Sequence, residues 1–117
     1  MIAVAASIAV IGDSDMAVGF RLAGVKEVYE YEYGVEDRED IDIDVARVLD
    51  KIAKEDVVLI IINERFASMM RTQEKIREIK NKKKGVTPII LEVPDKKGPV
   101  KKELDEIGQL IKRAIDV

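Results

Sequence analysis

The chain has no cysteine, no histidine and no tryptophan, and only two asparagines and two glutamines among its 117 residues. Without cysteine it forms no disulfide and offers no thiolate to a metal, an iron–sulfur cluster or a substrate. Without histidine it has no Ser-His-Asp triad, no imidazole base and no imidazole ligand. Any catalysis would rest on carboxylates, Lys, Arg, Ser, Thr or Tyr. Twenty Lys and Arg face 23 Asp and Glu, a net charge of −3, so the basic balance expected of a nucleic-acid binder is missing too. The apolar run at residues 2–11 is too short to span a bilayer, follows no Lys or Arg and is closed by Asp13, so it reads neither as a membrane span nor as a signal peptide. The expected compartment is the cytoplasm, with membrane contact only through partners.

What is present describes a folded domain. Apolar residues make up 47% and charged residues 37%, enough aliphatic side chains to pack one core at this length. The excess of Lys and Glu over amide side chains matches the composition of heat-adapted proteins. Residues 7–11 (SIAVI) form a β-branched run closed by Gly12, the pattern of a strand buried on both faces. A helix is predicted over 15–23, with Ser14 as its N-cap and Gly24 as its stop. Residues 28–33 (VYEYEY) alternate in period two, so only one face can be buried, which suits an edge strand.

From Ile41 onward, Ile41, Val45, Val48, Leu49 and Ile52 share one helical face, and Asp44, Arg47, Asp50, Lys51 and Lys54 lie off it. Residues 57–62 (VVLIII) read as a second central strand. A single helix is predicted over 64–84, its apolar side made of Phe66, Met69, Met70, Ile76 and Ile79, with Gly85 as its stop. Residues 89–93 (IILEV), bracketed by Pro88 and Pro94, read as a fourth strand. Strand and helix alternate throughout, which predicts an α/β fold: a four-stranded parallel sheet of flavodoxin-like order 2-1-3-4 with helices on both faces. The expected division is a globular domain over 1–94, a hinge at 95–99 (DKKGP) and a C-terminal helix over 100–117 striped by Leu104, Ile107, Leu110, Ile111, Ala114 and Ile115.

A doubly wound sheet places its ligand crevice at the carboxyl ends of the strands where the order reverses, here at Gly12-Asp13-Ser14-Asp15 and Asn63-Glu64-Arg65. Neither a Gly-rich dinucleotide turn nor a phosphate-binding loop is there, and the two carboxylates repel phosphate. Asp13 and Asp15 could hold Mg²⁺ as in receiver domains, the alternative of a degenerate regulatory switch. Asn63 stands where a receiver carries its phosphate-accepting Asp. Ser14 in a Gly-Asp-Ser context suggests a hydrolase nucleophile without a histidine to activate it.

Asp40, Asp42 and Asp44 have the opening spacing of a calcium loop, but Val45 and Lys51 stand where that loop needs Gly and Glu. The nine acids between residues 27 and 44 read instead as a solvated edge and first helical turn. Lys80, Lys82, Lys83 and Lys84 read as charges on the exposed carbonyls of a helix end. No catalytic, cofactor-binding or metal-ligating residue is assigned.

Residues 8–24 (IAVIGDSDMAVGFRLAG), 58–65 (VLIIINER) and 87–99 (TPIILEVPDKKGP) together resemble the F subunit of the archaeal (A-type) and vacuolar-type (V-type) rotary ATPases. The pieces occur in the family's order and span most of the chain; residues 1–6 extend beyond the family's usual start. The resemblance implies a Rossmann-like domain of four parallel strands with a mobile C-terminal helix. It further implies a non-catalytic part of the central stalk, lying beside the coiled-coil D subunit and turning inside the ring of A and B subunits on the cytoplasmic side of the membrane. Such a rotor part helps couple ATP turnover to proton or sodium transport. Two sets of partner contacts are expected. One is Leu104, Ile107, Leu110 and Ile111 on the terminal helix, docking on the D subunit or reaching the B subunit. The other is Asp13, Asp15, Asn63, Glu64 and Arg65, expected to be exposed at the strand ends and to face a polar strip of the coiled coil.

Overall fold

A computed structural model describes residues 8–32, 38–82 and 87–94. The hinge, the terminal helix and Gly85 all lie outside these residues. The described elements are β1 (Ile8–Gly12), α1 (Ser14–Leu22), β2 (Glu27–Glu30), α2 (Arg38–Ala53), β3 (Leu59–Asn63), α3 (Glu64–Ala67), α4 (Met70–Lys80) and β4 (Ile89–Val93). All strand pairs are parallel and their order is β2-β1-β3-β4, the order predicted from hydropathy alone. The two most apolar strands lie inside because parallel sheets bury both faces of their central strands.

Register assigns each side chain to a face. Val10 stands beside Val28 and Ile61, and Ile61 beside Leu91, so these four share one face. Ile11, Ile60 and Ile62 point to the other, where they pack with Ile41, Val45, Leu49 and Ile52 of α2, Phe66 of α3, and Ile76 and Ile79 of α4. Burying each such side chain contributes about 1.5–3 kcal/mol, so this face supplies most of the stabilising free energy. Among the described residues, α1 alone covers the first face, through Met16 and Phe20 packed with Val10.

Several boundaries differ from expectation for local physical reasons. Helix α1 is capped by Asp13 and not by Ser14: the Asp13 carboxylate accepts a hydrogen bond from the Met16 amide at 3.0 Å, and the backbone at Asp13 is extended. The helix therefore begins one residue early. It ends in a Schellman motif, with the Val25 amide donating to the Phe20 carbonyl, the Gly24 amide to Arg21, and Gly24 at φ +102°, a conformation glycine adopts without strain.

The helix expected as one piece over 64–84 is two. α3 closes at Ser68, and α4 starts after Met69, whose side chain makes no capping hydrogen bond. Met70 consequently points outward and is 75% exposed, not part of the core, while Met69 packs against it. The missing cap comes from another helix: Asp42 of α2 accepts from the Arg71 amide at 2.9 Å, the Thr72 amide at 2.8 Å and the Thr72 hydroxyl at 2.7 Å. Asp42 is therefore a buried structural acid, not one of a solvated row.

Candidate functional site

The carboxyl ends of β1 and β3 meet where the sheet order reverses, and the structure gathers the strand-end residues there. Asp13 follows β1 directly, and Asn63 is the last residue of β3. Both side chains cap helices. Asn63 Oδ1 accepts from the Arg65 amide at 2.8 Å, as Asp13 does from Met16, while Asn63 Nδ2 approaches Met16 Sδ at 3.6 Å. Asn63 is only 1% exposed, so the expectation of an exposed Asn63 is corrected: its side chain is needed to start α3 beneath the surface.

Met16 packs directly on Gly12 at the end of β1. A Cβ added at Gly12 would lie 2.7 Å from Met16 Sδ and 2.8 Å from Met16 Cβ, so this side chain requires the glycine. The receiver alternative needs Asp13 and Asp15 turned toward one cation, whereas Asp13 is turned back onto its own helix. Among the described residues no group of three or more His, Cys, Asp or Glu is arranged to hold a metal ion. What this end of the molecule presents is a polar rim: exposed Asp15, with half-buried Asp13, Glu64 and Arg65. One oxygen of Glu64, Oε1, is buried without a hydrogen-bond partner among the described residues.

The three acids of the calcium-like spacing diverge. Asp40 is exposed, Asp42 turns inward onto α4, and Asp44 accepts from the Tyr31 hydroxyl. Of the lysine cluster, Lys80 and Lys82 are exposed, and Lys83 and Lys84 lie outside the described residues. Beside the edge strand, the Tyr29 hydroxyl donates to Glu27 at 2.9 Å and accepts from Lys51 at 3.3 Å. Burial, reinforced by Glu27, raises the Tyr29 pKa against the opposing pull of Lys51. A cavity of about 300 Å³ lies away from the crevice, between the end of α2 and β3, with mixed charges from Lys54, Glu55, Asp56 and Lys82.

The hydropathy reading missed one surface. On the face that α1 covers in part, Ile89 and Leu91 of β4 are 69% and 51% exposed. On the outer side of α1, Val18 and Leu22 are 53% and 84% exposed. The signal for the first pair was available, since order 2-1-3-4 makes β4 an edge and one short helix cannot cover four strands. The four predicted contacts Leu104, Ile107, Leu110 and Ile111 lie outside the described residues.

The family model of the ATP synthase (F/14-kDa) subunit matches residues 8–111. Curated relatives include the A-type ATP synthase F subunit of Methanococcus aeolicus, 42% identical over 111 residues, which cover 94% of this chain and 95% of the relative. That of Thermococcus kodakarensis is 42% identical over 114 residues, covering 94% of each chain. That of Pyrococcus furiosus is 37% identical over 110 residues, again 94% of each. Among solved structures, the F subunit of the V-type ATP synthase from Archaeoglobus fulgidus superposes with a TM-score of 0.49 at 27% identity, over 75% of this chain and 96% of that one. No described helix is long and apolar enough to cross a membrane. The chain belongs to the F-subunit (F/14-kDa) family of ATP synthases.

Proposed function

We propose that the chain is a non-catalytic central-stalk subunit of an A-type/V-type ATP synthase on the cytoplasmic side of the membrane. It binds the coiled-coil D subunit and helps couple ATP turnover to rotation and to proton or sodium transport. Family membership supports the assembly. The observation that supports the non-catalytic part is the use made of the strand-end residues: Asp13 and Asn63 are committed to helix caps, and Met16 packs directly on Gly12. A rotor part needs rigid surfaces, and these caps stiffen the one place where an α/β enzyme of this topology would open.

In this reading the polar rim of Asp13, Asp15, Glu64 and Arg65, set on the buried Asn63, faces a polar strip of the coiled coil. Arg65 is suited to a two-pronged bond with a carboxylate. Leu104, Ile107, Leu110 and Ile111 supply the apolar anchors on the D or the B subunit. The test is a titration of the full chain against the coiled-coil D subunit of the same source, followed by size-exclusion chromatography. A one-to-one complex weakened by Arg65→Ala and by deletion after Pro99 is expected. With both proteins folded, absence of any complex would refute the stalk reading. A complex indifferent to Arg65→Ala would remove the rim from the interface.

A further inference from the structure

Helix α1 has an inner and an outer side. Met16, Ala17 and Phe20 turn to the sheet, where Ala17 is fully buried and Met16 and Phe20 pack with Val10. Asp15, Val18, Gly19 and Leu22, at spacings of three and four, share the outer side, and all four are exposed. Gly19 separates this side from an ordinary solvated one. It lies inside the nine-residue helix, its φ is not positive, and a Cβ added to it would meet nothing within 4 Å. Glycine inside a helix destabilises it relative to alanine through lost backbone entropy. Gly12 lies against Met16 and Gly24 stands at φ +102°, so each has its reason inside the chain, whereas no described residue requires a glycine at position 19. A bare backbone flanked by exposed Val18 and Leu22 is instead a notch that admits another helix at the short end of the ~8–10 Å range of axis separations.

We propose that the outer side of α1 is a docking face for a helix, crossing at Gly19, and that this helix belongs to the coiled-coil partner; the partner's identity rests on the function proposed above. Continuity with the strand-end rim selects that occupant. Helix α1 starts at the rim, so Asp15 belongs to both surfaces, and from Asp15 to Leu22 the outer side carries on for about 10 Å at ~1.5 Å per residue. A long, straight helix is the shape that meets both. Size argues the same way: Val18, Gly19 and Leu22 fall far short of the ~800 Å² that each partner gives to a stable interface, so this side needs the rim beside it to hold a partner. The ion pair of Arg21 with Glu30, at 3.2 Å, borders the apolar centre with charge, as the edge of an interface requires.

The experiment titrates the full chain and its variants against the coiled-coil D subunit by calorimetry, beside thermal unfolding of each variant alone. Gly19→Ala is expected to raise the unfolding midpoint of the isolated chain by about 3 °C, because alanine favours the helix and nothing within the chain meets the new methyl. The same methyl is expected to weaken the complex about tenfold by holding the two helices apart. Leu22→Lys, at a position 84% exposed, is expected to weaken the complex by about tenfold as well and to leave the midpoint unchanged. If the parent chain binds and both variants bind equally well, the proposal alone is overturned. If the parent binds no coil, the stalk reading is refuted and the proposal with it. A lowered midpoint for Gly19→Ala would place the need for glycine inside the chain and overturn the proposal. So would self-association of the isolated parent that Leu22→Lys abolishes, which would make a second copy the occupant.

Discussion

The cap that α2 lends to α4 gives the sharpest test of the fold. Asp42→Ala removes the acceptor for the Arg71 and Thr72 amides and for the Thr72 hydroxyl, at a place where Thr72 is fully buried and Asp42 only 8% exposed. Loss of a helix cap costs about 1 kcal/mol. Leaving buried donors without a partner adds about 1–2 kcal/mol, since water cannot reach Thr72 to replace the carboxylate. The expected total is about 2–3 kcal/mol, a large share of the ~5–15 kcal/mol that holds a domain of this kind together. Urea unfolding followed by far-ultraviolet circular dichroism measures it, with the midpoint falling and the slope unchanged. Asp42→Asn keeps one acceptor but turns an amide NH₂ toward a backbone donor, and is expected to cost about 1–2 kcal/mol. Asp40→Ala, on an exposed position two residues away, is expected to stay within ~0.5 kcal/mol of the parent. If Asp42→Ala is no worse than Asp40→Ala, the inter-helix cap is not what starts α4.

Three further outcomes follow from contacts near the strand ends and the helical face. Gly12→Ala should destabilise by about 1–3 kcal/mol through overpacking, and adding Met16→Ala should recover only part of the loss, because Met16 Cβ itself lies 2.8 Å from the new methyl; both are read by urea titration. Tyr31→Phe should cost about 1 kcal/mol by removing the hydroxyl donated to Asp44, while the edge-on ring contact with Phe66, 5.8 Å between centroids, is retained. Hydrogen bonds from Lys54 and then Lys75 lower the Asp50 pKa, so its contribution is complete above the unfolded value and is lost as pH falls through the lower folded value. Asp50→Asn should therefore flatten the acid side of the stability profile below about pH 4, and a profile identical to the parent's would refute the coupling.

Sequence alone determined the α/β class, the strand order and the buried face of α2. Each rests on signals within one element: the β-branched runs around Val10 and Ile61, the recurrence of Ile41, Val45, Leu49 and Ile52, and the alternation that sends β2 to the edge. The family was legible too, through three segments in fixed order, and the match over residues 8–111 confirms it. Tertiary structure decided which polar residues are spent on the fold. Asp13 in place of Ser14 as a cap, Asn63 as a buried cap, and Asp42 reaching across 30 residues to Thr72 all depend on where a side chain lands in space, and hydropathy carries no record of that. The break at Ser68 and Met69 has the same origin, since the residue that starts α4 belongs to another helix. The strand order signalled that β4 is an edge, but the exposure of Ile89 and Leu91 depends on α1 lying over β1 and β2 among the described residues, because burial is set by the layer above a strand and not by the strand's own composition.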